Sequence, residues 1–204
     1  MAEAARMTRR EQFAMETRQI IFDTAMDLFA KEGYDRVTVD DICEKTGVAK
    51  STFYNLFKSK DQIVVEEFLK IDAYYQEILD KIQKKKKSHI DKMVEFINLT
   101  LKYINDQGIE IIKVTYHSQI GPSLKGSPVA SPQRSLYRIV EQIITEAQEA
   151  GEVRTDMSAA NITQNLVRFT RGVVYDWCLQ NGGFDLMKAG REYMELVTDG
   201  IRQQ

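Results

Sequence analysis

TVDDICEKTGVAKSTFYNLFKSK, residues 38–60, reads as two short helices joined by a tight turn. Thr38 is placed to cap the first, with Asp40 and Asp41 in its first turn, where the helix dipole favours negative charge. Ile42 follows Val39 by three residues on one face, and Gly47 supplies the backbone freedom for a sharp change of direction. Val48, Phe53 and Phe57 then anchor the second helix, leaving Lys50, Ser51, Thr52, Tyr54 and Asn55 to face outward. An exposed helix start that carries ammonium, hydroxyl and amide groups suits the DNA major groove. The competing reading is a solvated helix hairpin that serves only the fold.

Local charge favours DNA. Residues 1–60 hold ten basic and ten acidic side chains, and the whole chain has a net charge of −2. From Lys45 to Lys60, however, there are four lysines (Lys45, Lys50, Lys58 and Lys60) and no acid. Phosphate neutralisation depends on where cations sit rather than on their total.

Upstream, Ile21, Ala25, Leu28 and Phe29 form an i, i+4, i+7, i+8 stripe, and Gly33 is placed to end that helix. Packed on Val39, Ile42, Val48 and Phe53, the stripe makes a three-helix core. The whole stretch from about Thr17 to Val65 resembles the TetR family of bacterial regulators. The resemblance rests on Phe29 to Gly33-Tyr34, Thr38-Val39, Gly47-Val48, and Tyr54, Phe57 and Lys60 in a Tyr-x-x-Phe-x-x-Lys pattern. It implies phosphate contacts for Thr38, Tyr54 and Lys60, and contacts to base edges or backbone for Lys50, Ser51, Thr52 and Asn55. Ala49 stands where the family often has a capping serine, and Asn55-Leu56 departs from its common pattern, so no base preference is carried over. Residues 1–15, with Arg6, Arg9 and Arg10, read as a flexible arm, either idle or touching DNA.

The rest of the chain has helical periodicity. A long helix is expected from Ser59, with a Ser59/Gln62 capping box and the stripe Val64, Phe68, Ile71, Tyr75, Ile78, Ile82. It ends at Lys84–Lys87, read as a solvated terminus. Residues 88–106 are apolar on two adjacent faces, as expected of a central helix. Further helices are predicted over about 110–120 and 133–150, separated by a loop at Gly121–Pro132 that holds all three prolines. Residues 158–180 and 184–201 carry more apolar surface than one core needs. Phe169, Val173, Trp177, Met187, Met194, Val197 and Ile201 are therefore the dimerisation candidates, in an isologous four-helix interface that the resemblance also implies. An ordinary two-sided core helix is the alternative. Phe96, Thr100, Tyr103, Tyr116, His117, Tyr137 and Phe169 are the candidates for an effector site.

Composition sets outer bounds. With 204 residues and 43% apolar content the chain can bury a sizeable core in two domains. No apolar run approaches a membrane span and no signal segment is evident, so a cytoplasmic location is expected. Cys43 and Cys178 form no metal or disulfide framework, and His89 and His117 lie in no catalytic or metal-binding pattern. Neither an enzyme nor a cofactor is expected.

The expectation is an all-α chain with a three-helix DNA-binding domain over 1–60 and a helical effector-binding and dimerisation domain over 61–204. Its expected function is that of a homodimeric transcriptional regulator, a repressor bound to a palindromic operator and released by a small hydrophobic or amphipathic effector. A helical adaptor for a protein partner, using the helix-turn-helix only as a fold element, is the alternative.

Overall fold

The computed structural model describes residues 8–120 and 130–202. Among these the fold is all-α, apart from an isolated antiparallel bridge between Val153 and Arg202. The helices are α1 (Arg9–Glu32), α2 (Val39–Thr46), α3 (Lys50–Leu56), α4 (Lys60–Leu69), α5 (Ile71–Gln83), α6 (His89–Gln107), α7 (Ile109–Ile120), α8 (Ser135–Glu149), α9 (Ala159–Leu179) and α10 (Leu186–Ile201). No described helix is long and apolar enough to cross a membrane. The chain divides into two compact units, residues 1–67 and 68–204.

In the first unit α1 packs on α2 and α3. Its core comprises Ile21, Ala25, Leu28 and Phe29 against Val37, Ile42, Phe53 and Phe57, all buried. Helix α1 begins at Arg9, inside the segment read as a flexible arm, because Thr8 and Glu11 form a capping box. The Thr8 N–H donates to Glu11 Oε2 at 2.7 Å, and Thr8 Oγ1 accepts from the Glu11 N–H at 3.3 Å. That reciprocal closure satisfies backbone donors which a frayed arm would leave to water. At the other end Gly33 (φ 86°) stops α1, and its N–H returns to the Phe29 carbonyl. Helix α2 is closed by Thr38 with Asp41 at its start and by left-handed Gly47 (φ 69°) at its end.

In the second unit α6 is central, packing against α5, α8 and α10. Ile90, Met93, Phe96, Ile97, Thr100, Leu101 and Ile104 are buried, as its two apolar faces require. Helix α9 lies against α7, α8 and α10. The single long helix expected from Ser59 is instead α4 and α5, parted at Lys70. Lys70 keeps right-handed dihedrals (φ −59°, ψ −21°), and its carbonyl accepts from both Ala73 and Tyr74, a local tightening of the helical ladder. Most of the segment read as a loop, 121–129, lies outside the described residues. Ala130–Arg134 leads into α8 through a turn in which the Arg134 N–H donates to the Ser131 carbonyl.

Candidate nucleic-acid interface and effector cavity

Helix α3 presents its polar side because Phe53 is fully buried and Phe57 nearly so, which fixes the rotation of the helix. Ser51, Tyr54 and Asn55 are then exposed, Tyr54 at 54%, while Thr52 is half-buried. A groove of about 450 Å³ gathers Thr38, Lys50, Tyr54, Lys58 and Lys60 with Asp40. Four residues predicted for DNA contact, far apart in sequence, thus share one concave surface of a size and charge that suit phosphate. Ser51, Thr52 and Asn55 lie outside that groove.

Lys50, Thr38 and Lys60 of the groove are already engaged. Lys50 Nζ is 2.5 Å from Asp40 Oδ1, in a pair more than half exposed on both sides. Thr38 Oγ1 donates to Asp41 Oδ2 at 2.7 Å and accepts from the Asp41 N–H, so the hydroxyl serves the cap of α2. Lys60 Nζ donates to the carbonyls of Tyr34 and Val37, each at 2.8 Å, and stands 4.0 Å from the Tyr34 ring centroid. It ties the segment before α2 to the start of α4, a structural duty that the Tyr-x-x-Phe-x-x-Lys pattern alone does not reveal. Beneath it the Tyr34 hydroxyl donates to Asp61, and burial holds the Tyr34 phenol well above its ordinary pKa. Opposite, Arg18 reaches both oxygens of Glu66 at 2.5 and 2.7 Å and lies 4.2 Å from the Phe57 ring centroid. The head is locked by cations on aromatic rings as well as by its apolar core.

The second unit encloses a cavity of about 30 Å³ between α5, α6, α7, α8 and α9. That is room for a water or two rather than for an effector. Of the predicted effector residues, Thr100 and Tyr116 line it. Phe96 is fully buried beside Tyr75, with ring centroids 5.7 Å apart, and Tyr103 stacks on Tyr74 at 4.9 Å. Tyr137 stands behind the wall, its hydroxyl accepting from Arg171 Nη1 at 3.0 Å. His117 is exposed and Phe169 is 59% exposed, so neither belongs to the cavity; each lies on the solvent side of its helix. The wall also holds Tyr75, Arg134 and Arg171, which the sequence reading missed as site residues. Arg171 carried a usable signal, since it falls between Val167 and Val174 on a stripe that faces the core. Burial pushes the Tyr75 phenol up to about 12 and raises that of Tyr116 as well.

The last two helices resolve the surplus of apolar residues. Trp177 and Met194 are 7% and 1% exposed and belong to the core of the chain itself, which removes them from any free interface. Val173, Met187, Val197 and Ile201 are half-buried against that core. What remains outside is Phe169 on α9, its ring 5.9 Å from that of Tyr193 on α10, together with Tyr175, Leu179 and Leu196, the last 76% exposed.

A helix-turn-helix unit with a cationic groove, followed by a larger helical unit, defines a DNA-binding transcriptional regulator. Sequence comparison agrees. Residues 21–66 match the bacterial regulatory proteins of the tetR family, and residues 57–200 match the C-terminal region of YsiA-like proteins. The chain belongs to the TetR family. It is similar to the fatty acid metabolism regulator protein of Bacillus subtilis, with 23% identity over 90% of this chain and 95% of the relative. It is also similar to the repressor KstR2 of Mycolicibacterium smegmatis, with 25% identity over 91% of each chain. Among solved structures, Thermus thermophilus FadR in complex with lauroyl-CoA shares the fold at a TM-score of 0.75 and 18% identity, over 90% of this chain and 94% of that one.

Proposed function

We propose that this regulator is a cytoplasmic homodimeric repressor that binds a palindromic operator and is released by an amphipathic effector seated in the second unit. The observation that carries the reading is the groove joining Thr38, Lys50, Tyr54 and Lys60 beside the exposed polar side of α3. Phosphate-grade cations there fix register, and Ser51, Thr52 and Asn55 are available for base edges. A two-fold dimer would place two such helices one DNA turn apart, roughly 34–36 Å. The exposed Phe169 and Leu196 support α9 and α10 as the dimer surface.

The effector side follows from the cavity. Its lining is mostly apolar with a few convergent polar groups, the pattern of a small-molecule site. Because the space is only about 30 Å³, any sizeable ligand must part the surrounding helices, which makes binding and conformational change one event. Similarity to a fatty acid metabolism regulator and to a FadR solved with lauroyl-CoA favours a ligand with an apolar chain.

The test is anisotropy titration of palindromic and scrambled DNA from the region upstream of the gene, across a salt series. Tighter binding of the palindrome, with log affinity falling linearly in log salt, is expected. Equal affinity for both DNAs would overturn the reading.

A further inference from the structure

Among the described residues Arg134 is the only charged residue in the buried class, its side chain 6% exposed. It stands at the start of α8 on the cavity wall, its guanidinium carbon 5.5 Å from the Phe68 ring centroid and 5.8 Å from that of Tyr75. Arg134 Nε donates to both oxygens of Asp72, at 3.0 and 3.3 Å, and Ser135 Oγ donates to Asp72 Oδ1 at 2.9 Å. The Asp72 carboxylate therefore accepts from an arginine and a serine at once. Among the described residues the cavity wall carries only one other charged side chain, Arg171, and a buried hydroxyl, Thr100 Oγ1, that has no hydrogen-bond partner.

A buried ion pair does little for stability, since well-packed apolar residues of equal volume serve as well or better. An orphaned hydroxyl is an outright penalty. Both fit a cavity built to receive an anion, and both are unexplained by packing.

We infer that the effector is an amphipathic carboxylic acid whose carboxylate takes the place of Asp72 at Arg134. Arg171 supplies a second cation and Thr100 a further donor, while Ile97, Ile104, Val167 and Val174 receive the apolar body. Asp72 is thus an internal stand-in for the ligand, and its displacement frees the first turn of α5. The inference rests on the proposed effector role of this cavity and names the ligand class. It also separates a free acid from the corresponding thioester, which offers no carboxylate.

The experiment measures binding of decanoate, 1-decanol and decanoyl-CoA to the full chain at neutral pH by calorimetry, with operator anisotropy in parallel. Decanoate is expected to bind at least about tenfold more tightly than either other probe, as a charge-assisted contact predicts. Asp72→Asn should tighten decanoate about tenfold and leave decanol unchanged, because an internal competitor is removed. A merely structural Asp72 would give unchanged or weaker binding. Arg171→Gln should weaken the preference for the acid and Arg171→Lys should restore it in part, with thermal unfolding confirming that each variant folds. Equal binding of decanoate and decanol, tightest binding of decanoyl-CoA, no binding of any probe, or no gain in Asp72→Asn overturns the inference. If operator affinity responds without a preference for the acid, the regulatory reading stands and the ligand class falls. If the preference appears and operator affinity does not move, the reverse holds.

Discussion

A Cβ atom on Gly190 would stand 2.3 Å from Leu101 Cδ1, so α10 approaches α6 as closely as it does only because residue 190 has no side chain. Leu101 is fully buried, so its side chain can yield only into the packed core. Gly190→Ala gains about 1 kcal/mol of helix propensity but must overpack the core, at about 1–3 kcal/mol. Net destabilisation of about 1 kcal/mol is expected in urea unfolding. Gly200→Ala, with nothing within 4 Å of the new carbon, is the control and should be neutral or stabilising.

In the head, Lys50 and Lys60 are expected to behave differently although both are groove lysines. Lys50→Ala should weaken binding to every DNA sequence and lower the salt slope by about one. Asp40→Asn should strengthen binding, because it removes the carboxylate 2.5 Å from Lys50. Lys60→Ala strips the donors from the Tyr34 and Val37 carbonyls and should lower the melting temperature of the head as well as its affinity. If Lys60→Ala lowered affinity with unfolding unchanged, phosphate contact alone would explain it.

The proposed dimer is tested on α9 and α10. Phe169→Glu combined with Leu196→Glu should yield folded monomers in analytical ultracentrifugation, with operator binding lost, since both side chains are exposed. Met194→Glu instead buries a carboxylate in the core and should unfold the second unit. A fully dimeric Phe169→Glu, Leu196→Glu protein would move the interface elsewhere.

The division between these outcomes shows what was legible in the sequence. The helix-turn-helix was, because Thr38, Gly47, Phe53 and Phe57 are local signals of capping, turning and facing. The capping box at Thr8 and Glu11 was equally local and shortens the arm. The fate of α9 was not, because period alone puts Phe169 and Trp177 on related faces, and only the neighbours α7, α8 and α10 decide which is covered. The cavity was least legible. Thr100 and Tyr116 fit an aromatic and polar rule, but Arg134 precedes its helix and meets Asp72, 62 residues away, only in the fold.

Burial of Tyr75 makes an alkaline signature. Its phenol is pushed up to about 12, whereas the unfolded value is about 10. Below about pH 10 both states hold the proton and the full stability is present. Between about 10 and 12 only the unfolded state releases it, so stability falls by up to about 1.4 kcal/mol per pH unit. Tyr75→Phe should show a shallower loss when urea unfolding is compared at pH values on either side of that window.

The last expectation concerns coupling. A cavity of about 30 Å³ is too small for an effector in the described state, so one that enters must select or create a wider state. If that wider state binds operator ten to a hundred times more weakly, the coupling free energy is about 1.4–3 kcal/mol. Linkage makes the effect reciprocal: saturating operator must weaken effector binding by the same factor. Calorimetric titration of one effector into the free protein and into its operator complex should give affinities that differ by the fold-change seen in operator release. Equal affinities in the two titrations would mean that the ligand does not discriminate between the states, and release by population shift would be ruled out.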